Sequence, residues 1–215
     1  MKKRSMARCG RGLVIGLVLL AVTACSWLSP AATPTTSFYS LDSARAAPLA
    51  VRAPATAPTL TVNPPRAAAG FDSSRIIYVR ERHQLEYFAH SEWVDPPARM
   101  LGPLLVAAIE RTGAFRAVVL APSAAGGDLR LDTEIIDLQQ EFTSLRSRVR
   151  FTLRAYLVDD KTRRVLAGRQ FDAAIPAASD DPYGGVVAAN RAVKKVLASL
   201  AAFCAETARG VRAEN

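Results

Sequence analysis

Between Leu129 and Ala173 the chain alternates apolar and polar residues over three long segments, and this alternation limits the fold more than any other feature. Leu129, Leu131, Thr133 and Ile135 form one apolar row; the phase then jumps, and Ile136, Leu138, Gln140 and Phe142 carry it on. A period of two puts such residues on one face of a β-strand, and an adjacent apolar pair at a change of phase marks a β-bulge. Val149, Phe151, Leu153, Ala155 and Leu157 repeat the pattern, with Arg146, Arg148, Arg150, Thr152, Arg154 and Tyr156 on the opposite face. Asp159-Asp160-Lys161-Thr162 supplies a turn, and Val165, Ala167, Phe171 and Ala173 a third strand in which Arg169 interrupts the apolar row.

Two helices are expected to cover the apolar face. The first opens at Asp95-Pro96-Pro97, with Asp95 as the cap and proline where no backbone donor is needed. Met100, Leu101, Leu104, Leu105, Ala108 and Ile109 make its buried stripe, and Gly113 ends it. Pro103 predicts a kink, or a later start near Gly102. The second opens at Asp181-Pro182 and buries Val186, Ala189, Val193, Val196, Leu197, Leu200, Phe203 and Cys204; from Gly210 to Asn215 the polar chain is expected to fray. Shorter strands read as Ser37–Asp42, Leu60–Val62, Arg75–Arg80, Gln84–Ala89 and Phe115–Leu120, with a hairpin turn at Glu81-Arg82-His83. This order predicts an α+β fold: a single domain with a largely antiparallel sheet and both helices packed on one face.

The N-terminus has the three parts of a bacterial secretory signal. Lys2, Lys3, Arg4, Arg8 and Arg11 precede an apolar stretch, Leu13 to Ala21, and the run Leu20-Ala21-Val22-Thr23-Ala24-Cys25 resembles a lipobox. Residues 1–24 then form the signal peptide, and Cys25 carries covalent lipid (diacylglycerol on the thiol, an acyl chain such as palmitate on the amine). A bilayer-spanning helix needs about 20 apolar residues, and this stretch is shorter. Residues 25–36 read as a lipidated tether of small residues, Pro and Thr, 37–209 as the domain, and 210–215 as the frayed end. A second Ala/Pro-rich stretch runs from Ser43 to Pro58. Ser26 is not the Asp that would resemble an inner-membrane retention signal, so the periplasmic face of the outer membrane is the expected location.

Loss of residues 1–24 removes five of the 28 basic residues and none of the 19 acidic ones, leaving 23 against 19 and a net charge of +4 instead of +9. The high charge belongs to the signal and gives no case for nucleic acid. Of three cysteines, Cys9 leaves with the signal and Cys25 is acylated, so Cys204 alone remains, at buried helical spacing.

No catalytic constellation emerges. His83 and His90 have Glu86 and Glu92 nearby, but their seven-residue spacing completes no metal-ligand pattern. No Gly-x-Ser-x-Gly elbow surrounds a serine, and Gly184-Gly185 at a helix start has Asp180 and Asp181 to repel a phosphate. The expectation is a protein that is not an enzyme and has no cofactor or metal beyond the lipid on Cys25. Arg146, Arg148 and Arg150 are candidates for a partner-facing basic surface. They are also candidates for cross-strand pairing: a two-residue turn at Thr143-Ser144 sets Glu141 opposite Arg146, Asp137 opposite Arg150 and, past the bulge, Asp132 opposite Arg154. Tyr87 and Trp93 are candidate interface anchors, or a seal between strand and helix.

Several motifs resemble one family in order and spacing: the lipobox, Phe38-Tyr39-Ser40-Leu41-Asp42, Arg75-Ile76-Ile77-Tyr78-Val79-Arg80, Glu92-Trp93-Val94-Asp95-Pro96-Pro97, Phe142 after an acidic strand, and Ala188-Ala189-Asn190-Arg191-Ala192-Val193. The family is that of the ABC-type transport auxiliary lipoproteins, which includes the paraquat-inducible protein C type. Where that family often has Tyr-Leu-Asp before the RIIYVR-like strand, this chain has Phe71-Asp72. The resemblance implies a non-catalytic docking component at the outer-membrane end of an MCE-type lipid transport system. An MCE-domain protein and an ABC transporter are the implied partners, with the oligomeric state, homo-oligomer included, left open. The alternative is a periplasmic carrier lipoprotein that binds lipid itself.

Overall fold

A computed structural model describes residues 35–42, 53–123, 126–143 and 145–214, with backbone alone for 211–214. The signal peptide, Cys25, most of the tether, residues 43–52 of the second Ala/Pro-rich stretch, Ser144 and Asn215 lie outside the described residues. Strands run β1 Ser37–Tyr39, β2 Thr59–Val62, β3 Arg66–Ala67, β4 Arg75–Val79, β5 Glu86–Trp93, β6 Ala117–Leu120, β7 Leu129–Glu141, β8 Arg148–Asp159 and β9 Val165–Pro176. The helices are α1, Pro97–Glu110, and α2, Pro182–Glu214. These nine strands form one mixed sheet whose long pairings are antiparallel, with both helices packed on it. Thr36–Asn215 is one compact unit.

β7 organises this sheet. One of its edges pairs antiparallel with β8 along its whole length, and β8 pairs antiparallel with β9. The other edge receives β2, β3 and β4 end to end, all parallel, at Leu129–Leu131, Glu134–Ile135 and Gln139–Glu141. From position 67 to 77 the chain spends ten steps where β7 advances four, from 135 to 139, and the surplus leaves the sheet as the loop 68–74. Gly70 turns in that loop at φ 93°, a conformation that favours glycine. β5 lies outside β4 and β1 outside β5, while β6 flanks β2.

The phase jump is a real bulge: the β7–β8 register shifts between Ile135 and Asp137, leaving Ile136 unopposed. On the covered face Leu131, Ile135, Phe151, Leu153 and Leu157 meet Leu101, Leu105 and Ile109 of α1 and Val193, Leu200 and Cys204 of α2 in one core. Each large apolar side chain buried there contributes roughly 1.5–3 kcal/mol. Burial pushes the Cys204 thiol up to about 12, so it stays protonated. Arg169 also finds its reason: it sits on the edge strand β9 and lays its guanidinium 5.0 Å from the centre of the Phe203 ring.

The two helix starts differ from each other. Asp181 caps α2, its carboxylate accepting the Gly184 N–H at 2.7 Å. Asp95 does not cap α1. Pro96 holds the cap position and makes no side-chain hydrogen bond, and Asp95, one residue further out, pairs with Arg99 at 3.0 Å. A second proline displaced the acid from its expected role. α1 also starts at Pro97, not near Gly102, and runs unbroken through Pro103. At the other end α2 continues through Gly210 to Glu214.

Candidate functional site

With α1 and α2 on one side, the other face of β7–β8–β9 is open among the described residues, and the arginine stripe lies on it. Two arginines converge on one carboxylate: Arg148 Nε donates to Glu141 Oε2 at 2.8 Å and Arg150 Nε to Glu141 Oε1 at 2.6 Å. The Glu141 side chain is 9% exposed, against 42% and 37% for its partners. Burial pushes its carboxyl up, but hydrogen bonds from Arg150, Arg148 and Gln139 outweigh burial and hold it below the usual carboxylate range. Arg154 reaches Glu134 at 3.7 Å, and Thr152 donates to Asp172 at 2.8 Å. Arg130, Arg148, Arg150 and Arg154 therefore stand among Asp132, Glu134, Asp137, Glu141 and Asp172. This is a charge-paired ladder and not a basic patch.

The pairing has a different register from the one the sequence suggested. Glu141 lies opposite Arg148, Gln139 opposite Arg150, Asp137 opposite Thr152 and Glu134 opposite Arg154. The slip is two residues, which preserves the faces. A longer connection than Thr143-Ser144 causes it, and the segment between β9 and α2 fixes its base. Ser147 donates its N–H to Asp180 and accepts the Ala177 N–H, and Gln140 donates to the Ser147 hydroxyl at 2.9 Å. Hydrogen bonds from Ser147, with the charge of Arg146 adding to them, hold the Asp180 carboxyl low. Arg146 thus belongs to the loop, apart from Arg148 and Arg150. Gly184-Gly185 is explained here too: a Cβ on Gly185 would lie on the Gln140 amide, so glycine lets the helix start close against β7.

The aromatic candidates separate. Strand β5 runs on to Trp93, four residues past the expected end, and carries Trp93 into the core at 3% exposure. Its ring is closed to any partner in this fold. Tyr87, on the same strand, is 50% exposed, and Arg75 covers its ring 4.1 Å from the centre. Tyr87, Leu85, Arg75 and Ile77 line an open cleft of about 430 Å³ beside Gly70. His83 sits in the β4–β5 turn at φ 68° and His90 in β5, both exposed. Among the described residues no group of three or more His, Cys, Asp and Glu is placed to hold a metal ion, and no helix is long and apolar enough to cross a membrane.

A third feature was missed in the sequence. The Asn190 side chain of α2 accepts the Asp42 N–H at 2.9 Å and donates to the Ser40 carbonyl at 3.1 Å, while Val94 N–H donates to the Tyr39 carbonyl. Tyr39 pairs with Trp93, and Arg75 with Glu92. The segments Phe38–Asp42, Arg75–Arg80, Glu92–Pro97 and Ala188–Val193 meet at this junction, which clamps the first strand of the domain onto α2. An isolated Asn on a helix gives no sign of a partner about 150 residues away.

The model of the family described as ABC-type transport auxiliary lipoprotein component matches residues 39–201, from the clamped strand through most of α2. The chain belongs to this family. Among solved structures the auxiliary lipoprotein is similar to protein XCC0632 from Xanthomonas campestris, of family DUF330. That pair shares 23% identity and a TM-score of 0.70, covering 82% of this chain and 99% of the other. An uncharacterized protein shares 18% identity with a TM-score of 0.61, covering 79% and 99%. Both likenesses concern the fold. No curated protein sequence matches. The family is one of transport auxiliary lipoproteins and not one of known enzymes.

Proposed function

We propose that this auxiliary lipoprotein is a non-catalytic docking component of an MCE-type ABC lipid transport system, anchored through lipid on Cys25 to the periplasmic face of the outer membrane. The observation that carries the reading is the family match over 39–201. The open sheet face supports it: among the described residues no helix covers it, and an exposed aromatic cleft lies beside a ladder of arginines and carboxylates. Large aromatics rimmed by polar groups are the usual anchors of protein interfaces. On this reading Tyr87 is the anchor, Arg148 and Arg150 on β8 form the rim, and Trp93 holds β5, the strand that presents Tyr87.

The test is a pulldown of the intact lipoprotein from envelope membranes, with identification of what co-purifies. Wild type should retain an MCE-domain protein and its ABC transporter. Tyr87→Ala should melt within about 0.5 kcal/mol of wild type, as an exposed substitution does, yet lose about 2 kcal/mol or more of partner binding. Stoichiometric lipid on the purified protein, with no transport protein retained, would favour the carrier reading.

A further inference from the structure

The basic surface that was one candidate reading of β8 is found on α2. Arg191, Lys194, Lys195 and Arg209 are exposed along the outer side of this helix, with Glu206 as the exposed acid among them. None of the four forms an ion pair among the described residues, in contrast to Arg148, Arg150 and Arg154. Arg191 and Lys195 are four apart, a spacing at which like charges weaken a helix. Such a cost without an internal partner points to an external counter-charge.

Position selects the kind of counter-charge. Asn190, one residue before Arg191, holds Ser40 and Asp42. The strand through which the N-terminal tether enters the domain is therefore fastened to α2 at the start of the basic stretch. Ser26 to Thr36 is 11 residues, at most about 36 Å when extended. A domain held by lipid on Cys25 keeps this entry point near the headgroups, and a basic helix face beside it meets them at high effective concentration.

We infer that the outer face of α2, with Arg191, Lys194 and Lys195 at its centre, is a contact surface for anionic phospholipid headgroups. It orients the tethered domain on its membrane and leaves the open face of the sheet free for the partner. This inference rests on the lipid anchor of the function proposed above. Each basic residue near an anionic surface strengthens the attraction roughly fivefold.

The lysines provide the test. Beyond residue 24 the chain has three, Lys161, Lys194 and Lys195, and Lys161 lies in the β8–β9 turn as an internal reference. The intact lipoprotein is mixed with vesicles of phosphatidylcholine, or of phosphatidylcholine with phosphatidylglycerol, floated, and labelled with an uncharged amine reagent read by mass spectrometry. Lys194 and Lys195 should label roughly fivefold more slowly relative to Lys161 on the anionic vesicles. The difference should vanish in 1 M salt, where the screening length falls to about 3 Å. Arg191→Glu, an exposed change, should weaken the protection while leaving flotation intact. Flotation with both vesicles and no protection of the two lysines would keep the anchor and overturn the inference. Flotation with anionic vesicles alone, lost in salt, would overturn the anchor and support the basic face. Flotation with neither would overturn both. Protection found only in native envelope membranes would make the partner an acidic protein and overturn the lipid assignment.

Discussion

Strands β7 and β8 offer the same backbone to two environments. On the covered side Leu131, Ile135, Phe151, Leu153 and Leu157 are fully shut away beneath the helices. On the open side Glu134, Arg148, Arg150 and Arg154 are partly exposed and stand against one another around the nearly buried Glu141. Burial on the first side fixes which residues point inward, because a slip of one would turn every apolar side chain outward. It does not distinguish registers that differ by two. The ion pairs and the Gln140–Ser147–Asp180 network decide between those. The covered face thus contributes most of the stability, and the open face contributes the choice of pairing and the surface available to a partner.

The strongest challenge to this division is Trp93→Ala. Trp93 belongs to the covered side and lies in the contiguous core, so its truncation should cost about 3–5 kcal/mol. Denaturant or thermal unfolding would show it. Tyr87, six residues earlier on the same strand, should show the opposite pattern, with binding lost and the fold kept. A Trp93→Ala protein that melts like wild type but releases its partners would move Trp93 to the interface and undo the contrast.

Glu141 tests the boundary between the two sides, since it belongs to the open face yet is almost buried. Glu141→Gln removes the charge from two arginines and should cost about 2 kcal/mol. The same carboxylate makes a pH signature. Its folded value is depressed, so its stabilisation is present above the unfolded glutamate value of about 4.3 and is lost as pH falls through the lower folded value. Wild type should lose melting temperature across that acid range, and Glu141→Gln should lose distinctly less. Equal acid sensitivity in the two proteins would show that other carboxylates carry the effect.

Much of this was legible because it is local. Alternation located β7, β8 and β9, the phase jump located the bulge, and the apolar stripes chose the buried sides of both helices. What escaped depended on distant partners. The parallel seating of β2, β3 and β4 along β7 joins residues more than 60 positions apart. Asn190 reads as an ordinary helix residue until Ser40 and Asp42 arrive beside it. Asp180 and Asp181 argued against a phosphate cradle at Gly184-Gly185, but the reason for the pair, Gln140 against the helix start, was not visible. Asp95 was misread for a local cause, the extra proline. Cross-strand pairing of the arginine stripe with β7 carboxylates was legible, but its register, and the exclusion of Arg146 from the row, depended on a loop length set by Ser147 and Asp180.

The smallest expected effect asks how wet the open face is. Arg154 and Glu134 lie 3.7 Å apart with side chains 41% and 35% exposed, farther apart than the pairs Arg148 and Arg150 make with Glu141. Water screens such a rung, and ordering two long side chains offsets part of the attraction. A double-mutant cycle with Arg154→Ala and Glu134→Ala should give a coupling of about 0.2–1 kcal/mol, shrinking further in 1 M salt. The comparison between faces depends on that number staying small, because it assigns stability to the covered side. A coupling above about 2 kcal/mol that salt left unchanged would mean that the ladder acts as a dehydrated network. The open face would then be a second structural element, and its arginines would be poor candidates for contacts that a partner must share.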